Sequence, residues 1–248
     1  MKSEQQRKMS SWAKKKGIKV LLRSELRTLE EEGRRTRGNM MEGGFGVCVL
    51  LKLNGQWLVM KTFKRNQYTS MMRELRGLVR AKGPGVQELY AICPQRNVML
   101  SKYAGDSLFS VIERGLSKNK ATHIMGCVLR TTDRVLTEAN ICHNDLKPSN
   151  ICVADIKSVE PKVTLIDYGL ASTVGKLTYW QGMYPYQKEW VATELTKRGV
   201  CSEKSEVYSL GYVGRRINGN IRSLLPPGFR GWMIRSQSHD PESRPSVR

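Results

Sequence analysis

The chain has 248 residues and a net charge of +20, enough length for one sizeable core or two lobes. It has no apolar run of about 18 residues, and the start "MKSEQQRKMSSWAKKKG" has no apolar core, so neither a membrane span nor a secretory leader is expected. Six scattered cysteines without a CxxC pair, and three scattered histidines, argue against a structural zinc site and fit a reducing cytoplasmic or nuclear setting. The charge suits anionic partners or simply a solvated surface, and it is spread along the chain.

Residues 1–37 read as a basic extension. Lys14, Lys15 and Lys16 form one basic cluster and Arg34, Arg35 and Arg37 another. Ile18, Leu22, Leu26 and Leu29 between them recur at helical spacing, which predicts one amphipathic helix. From about residue 38 the texture changes. "VCVLLKL" and "QWLVMKTF" read as strands joined by the hairpin signal Asn54-Gly55. A helix is expected over about 68–81, ended by Gly83-Pro84-Gly85, and "VQELYAIC" and "NVMLSKY" supply two more strands. Helices then dominate, at about 108–113, 121–139 and 204–217. The expected class is α+β, with a small strand-rich lobe over 38–103 and a larger, mainly helical lobe over 104–248.

The chemistry concentrates in a few stretches. Glycines in "EGGFGVCV" let a backbone approach phosphates, although a tight turn would need them equally. Lys61 ends an apolar strand, and Glu74, thirteen residues on, can pair with it from the inner face of a helix. "HNDLKPSN" is more specific. Asp145 can orient or deprotonate a hydroxyl, Lys147 can neutralise charge on a transferred phosphate, and Asn150 offers an amide oxygen to magnesium. Asp167 in "LIDYG" adds a hard carboxylate for the same metal.

With these residues in this order, the chain resembles the eukaryotic protein kinase family over about residues 38–248. "GGFG" resembles the Gly-rich loop, "LVMK" the strand-three lysine motif, Glu74 the helix-C glutamate, "HNDLKPSN" the catalytic loop and "DYG" the metal-binding triplet. The resemblance implies a bilobal fold with ATP and Mg2+ as cofactors. It implies nucleotide contacts from Met41, Gly43, Gly44, Gly46, Cys48, Val59, Lys61 and Glu74, with magnesium on Asn150 and Asp167. Catalysis would fall to Asp145 and Lys147. "ATELTKRGVCSEKSEVYSLG" resembles the Ala-Pro-Glu motif and the central helix after it, which implies that Arg244 pairs with Glu194. Lys147-Pro148 resembles serine/threonine rather than tyrosine kinases, and "IDYGLA" is similar to the vaccinia-related branch near the casein kinases. The short large lobe also resembles kinases encoded by large DNA viruses.

The pattern departs in places. Asn144 stands where the family usually has an arginine that meets a phosphate on the activation loop, so activity is expected not to need that phosphate. Met41 takes the first glycine position, Cys48 and Val59 replace residues that flank the adenine, and Ser101 falls at the gatekeeper. Thr193 replaces the proline of Ala-Pro-Glu, Gln187 a threonine near the catalytic acid, and Glu206 the central-helix aspartate that anchors the catalytic loop. The expectation is an active kinase acting on protein substrates, acidic or nucleic-acid-associated given the basic surface. The alternatives are a pseudokinase scaffold and a small-molecule phosphotransferase of the kinase-like superfamily, against which the Glu194 and Arg244 motifs speak.

Overall fold

The Asn54-Gly55 turn forms as expected, with both residues at positive φ, and it joins two eight-residue strands paired from Gly46↔Phe63 to Leu53↔Gln56. The computed structural model describes residues 2–34, 40–43, 46–64, 67–178, 180, 188–197, 199–219 and 226–247. Gly44 and Gln187 lie outside the described residues. The chain divides into two compact units, one of residues 1–79 with 87–103 and one of 80–86 with 104–248.

The first unit is built on a five-stranded antiparallel sheet of order β1-β2-β3-β5-β4. Its strands are β1 (Met40–Gly43), β2 (Gly46–Leu53), β3 (Gln56–Phe63), β4 (Leu89–Cys93) and β5 (Val98–Lys102). Alternation decides which face is buried. Val49, Leu51, Leu58 and Met60 point to one side and pack with Ala91, Val98 and Leu100 against Leu21 and Leu26. Helix α3 (Tyr68–Ala81) buries Met71, Leu75 and Leu78 at helical spacing.

The extension holds two helices, where one was expected: α1 (Lys2–Lys15) and α2 (Arg23–Arg34). Gly17, at φ +70°, ends the first. The next residues then run extended, because Leu21 N–H donates to Ile92 O at 2.8 Å and Ile92 N–H to Lys19 O at 2.9 Å. The apolar period therefore crosses a break, and Leu22, placed on its buried face, is 59% exposed. The extension packs within the first unit through Leu21 and Leu26.

The second unit carries α4 (Leu108–Glu113), α5 (Lys118–Glu138), α6 (Thr193–Thr196), α7 (Glu203–Gly219) and α8 (Pro227–Ser236). Short strands complete it: β6 (Asp106–Ser107), β7 (Ile141–Cys142), β8 (Ile151–Ala154), β9 (Lys162–Leu165) and β10 (Ser172–Thr173). They form the ladders β6-β8-β9 and β7-β10. Helix α5 buries Ile124, Met125, Val128, Thr132 and Val135, one stripe of a central helix. Residues 80–86 belong here rather than to the strand-rich lobe expected from sequence. Leu165 N–H donates to Gly85 O at 2.8 Å, and Arg134 donates to the carbonyls of Ala81 and Pro84 at 3.1 Å each. Helix α8 was not foreseen; its buried Met233 lies against Gly214 of α7. Among the described residues no helix is long and apolar enough to cross a membrane.

Candidate active site

In the first unit, β3 carries Lys61 opposite Cys48 of β2 and Met99 of β5. Cys48, Val59 and Lys61 share the sheet face opposite the one packed under α2, by the same alternation that buries Val49 and Met60. Lys61 Nζ lies 2.6 Å from Glu74 Oε2, with the side chains 13% and 3% exposed. The expected pair is therefore formed. A pair this shielded fixes the aim of the ammonium, because removing either partner strands a charge out of water. Met41 and Gly43 are the register partners of Cys48 and Gly46. Gly46 has a packing reason of its own: a Cβ there would come within 2.2 Å of the Thr62 carbonyl oxygen.

In the second unit, β7 leads into the loop that holds Asp145. The loop hangs on Glu206, in the first turn of α7. Its buried carboxylate accepts the backbone N–H of His143 at 3.0 Å and of Asn144 at 2.8 Å. The longer glutamate thus performs the anchoring expected of this position. Asn144 sits at φ +63°, a left-handed conformation that asparagine tolerates better than most residues. Trp180 Nε1–H donates to Asn144 O at 2.6 Å, a second brace.

Asp145 is buried and well supplied with donors. Its Oδ2 accepts from Lys147 Nζ and from Asn150 Nδ2, both at 2.8 Å, and its Oδ1 accepts the indole N–H of Trp190 at 2.7 Å. A carboxylate offers about four acceptor sites, so three are filled and one remains for a substrate hydroxyl. Trp190 was not singled out from sequence. It is 45 residues from Asp145 in the chain, and no local spacing links the two. Ser209 holds it by donating to its carbonyl at 2.6 Å.

Asn150 and Asp167 are brought together by backbone pairing. Ile166 N–H donates to Asn150 O at 3.0 Å, which sets Asp167 one residue beyond. The Asn150 amide group donates to Asp145 O at 2.9 Å as well as to its carboxylate, so its nitrogen is committed and its oxygen is left as an acceptor. An amide oxygen beside a carboxylate is the sparse, hard oxygen set that magnesium uses, and the residues fit that ion. Among the described residues, no three His, Cys, Asp or Glu side chains cluster as a metal site of another kind. His143 is buried, and burial holds its imidazole below the ordinary range and therefore neutral. Nδ1 accepts the Asp145 N–H at 3.3 Å, so Nε2 carries the proton and donates to Ile166 O at 3.0 Å. Tyr168, where the family has phenylalanine, is fully buried with its ring 4.6 Å from that of His143.

Glu206 carries a pH signature. Burial raises its carboxyl from 4.5 to about 7, against the opposing pull of the two N–H groups. The folded chain therefore holds this proton at pH values where the unfolded chain has released it. The contribution is complete below 4.5 and is lost as pH rises through about 7. The denaturation midpoint of the native chain should fall between about pH 5 and about pH 8, and Glu206→Gln should flatten that slope. The same substitution should lower stability by about 1–3 kcal/mol, because an amide accepts only one of the two N–H groups in this orientation. Equal slopes in the two proteins would contradict this.

A further pair closes the unit. Arg244, with a fully buried side chain, donates to both carboxylate oxygens of Glu194, at 2.6 and 2.9 Å. The family profile described as "Protein kinase domain" matches residues 36–217. The chain is 24% identical over 238 residues to the dual specificity protein kinase pyk3 of Dictyostelium discoideum, covering 82% of this chain and 17% of that protein. It is 25% identical over 183 residues to the serine/threonine-protein kinase dkf-2 of Caenorhabditis briggsae, 69% of this chain and 15% of that one. Mitogen-activated protein kinase kinase 1 of Arabidopsis thaliana is 26% identical over 223 residues, 84% and 59%. The chain thus spans less than two thirds of each of these relatives. The profile match takes in the paired Lys61 and Glu74, the Asp145 loop, Asp167, Glu194 and Glu206, and the chain belongs to the protein kinase domain family.

Proposed function

We propose that the chain is a serine/threonine protein kinase, transferring the γ-phosphate of ATP to hydroxyls of protein substrates without needing a phosphate on its activation loop. The observation that carries this is the donor set on Asp145, which leaves one acceptor position free on an otherwise fixed carboxylate. In this reading Lys61, aimed by Glu74, grips the phosphates, and the sheet face with Cys48 and Val59 receives the base. Asn150 and Asp167 hold Mg2+, which when bound offsets phosphate charge. Asp145 orients the acceptor hydroxyl, and Lys147 neutralises charge on the moving phosphoryl group. The lysine in "DLKPSN" and the name of dkf-2 favour serine and threonine acceptors. The net charge of +20 favours acidic or nucleic-acid-associated substrates, met in the cytoplasm or nucleus.

Asn144 supports independence from activation-loop phosphate. Its amide donates to Leu170 O at 3.1 Å, a neutral tie in place of a charged one. Phosphatase treatment before assay should leave the rate unchanged, with label recovered on phosphoserine and phosphothreonine. Loss of most activity, or label confined to tyrosine, would contradict the reading. The Glu194–Arg244 pair weighs against a small-molecule phosphotransferase. Glu206, a departure that favoured a pseudokinase, anchors the loop and so no longer counts for that alternative.

Trp190 has a defined part. Trp190→Phe keeps the ring but removes the N–H that holds Asp145 Oδ1. It should lower kcat by up to about 100-fold, the scale of a misplaced catalytic group, with KM for ATP unchanged. A normal kcat would show that Lys147 and Asn150 suffice.

A further inference from the structure

One short sheet of the second unit has an open edge. In the ladder β6-β8-β9, β9 lies on the outside. Along an antiparallel strand, residues alternate between bonding the neighbour and pointing their N–H and C=O away from it. Ile166 N–H donates to Asn150 O, which sets the phase. Thr164 and Lys162 bond their partners Cys152 and Ala154, and the backbone groups of Val163 and Leu165 face outward. Gly85 O takes the Leu165 N–H at 2.8 Å. At the other end Pro161 has no N–H, and its carbonyl accepts from His123 Nε2 at 3.3 Å. Between them, no described residue bonds the Val163 N–H or carbonyl.

Beside this gap lies a cavity of about 620 Å³, wholly within the second unit. That is the size of sites that enclose a ligand. Helix α5 supplies Cys127, Arg130 and Thr131 to its wall, and β9 supplies Lys162, Val163 and Thr164. Three cations, Arg130, Arg134 and Lys162, stand there against one acid, Glu160. Arg134 is spent on the carbonyls of Ala81 and Pro84. Lys162 meets Asp155 at 3.3 Å in an exposed pair, which holds it weakly. Arg130 is exposed, and its guanidinium reaches the Cys127 sulfur at 3.2 Å. Two cations are thus available to a ligand.

An outward-facing residue on a strand edge exchanges two hydrogen bonds with one residue of an extended segment. Proline beside it stops the pairing from running on, so only a short stretch is admitted. Side chains of that stretch alternate between the two faces of the sheet, and cations that line its path select carboxylates. We propose that the cavity between α5 and β9 is a docking site for an extended acidic segment of a protein partner, paired to Val163 and held by Arg130 and Lys162. The kinase reading enters at one point: it makes that partner a substrate.

The probe is a short fluorescein-labelled peptide that alternates glutamate and valine, titrated into the full chain at about 0.15 M salt and read by anisotropy. A chain of net charge +20 attracts any polyanion, so a charge-matched control is needed. Arg130→Glu with Lys162→Glu should weaken binding about tenfold or more, whereas Lys14→Glu with Lys15→Glu, on exposed positions of α1, should change it by less than about twofold. All four side chains are exposed, so both variants fold. N-methylation of the peptide backbone should cost about tenfold, and bound peptide should slow alkylation of the half-buried Cys127. No binding, equal weakening by the two double variants, or unchanged alkylation of Cys127 in the bound chain overturns the docking site and leaves the kinase reading standing. Binding that ignores N-methylation overturns the pairing to Val163. Protection of Cys127 by inorganic phosphate without any peptide binding makes this a small-anion site and overturns docking as well. With casein as acceptor, the Arg130→Glu and Lys162→Glu chain should show a KM raised about tenfold, with kcat and the KM for ATP unchanged. An unchanged KM for casein in a chain that has lost the peptide overturns the substrate role. A native chain without transfer overturns the kinase reading and leaves peptide binding measurable.

Discussion

Asp145→Asn should abolish most phosphoryl transfer, lowering kcat by about 10²–10⁴-fold, the usual contribution of a positioned acid or base. The geometry explains why so small a change is severe. Asp145 accepts from an ammonium, an amide N–H and an indole N–H, all within 2.8 Å. An asparagine must aim its own amide group at some of these donors, so it loses the charge and also one side of the hydrogen-bonding set. A buried donor left facing a donor costs about 1–3 kcal/mol, so the variant melts lower but still folds. Nucleotide affinity should change little, since Asp145 is not among the groups assigned to phosphate or metal. Steady-state kinetics with a binding titration check this. A kcat within about tenfold of the native value would remove Asp145 from the reacting centre.

Arg244→Ala should be the most destabilising single change, costing about 3–5 kcal/mol. The guanidinium is fully buried, bonds both oxygens of Glu194, donates to Ser238 O at 2.8 Å and Lys204 O at 3.0 Å, and lies over the Tyr208 ring. Alanine leaves a carboxylate, two carbonyls and a void without partners. Domains of this kind are stable by about 5–15 kcal/mol, so the loss takes a large share. Arg244→Lys should recover only part of it, because an ammonium cannot make the two parallel bonds. Denaturant titration reads the difference; a loss below about 1 kcal/mol for alanine would mean that the pair contributes little.

The parts of this structure that could be read from sequence are those written in local spacing. Helix α3 was expected over 68–81 and forms there, because its apolar period is unbroken and glycine and proline follow it. The hairpin at Asn54-Gly55 has its own turn signature. The Lys61–Glu74 and Glu194–Arg244 pairs join distant positions, yet each lies in a motif whose partner the family resemblance names. The extension misled because Ile18, Leu22, Leu26 and Leu29 keep helical spacing across a segment that pairs with β4 instead. Long-range hydrogen bonds to Ile92 outweighed local propensity there. Trp190 carried no signal, since its role depends on which side of the chain returns to Asp145. Residues 80–86 lie within the strand-rich lobe in chain order but are held by Leu165 and Arg134, which a chain-order reading does not see.

The most direct measurement is transfer of labelled γ-phosphate from Mg-ATP to casein and to a basic protein by the full chain, beside Asp145→Asn. The account predicts labelled serine and threonine with the native chain and almost none with the variant, while both bind ATP. No transfer from a folded, ATP-binding native chain, or equal transfer from the variant, would contradict it.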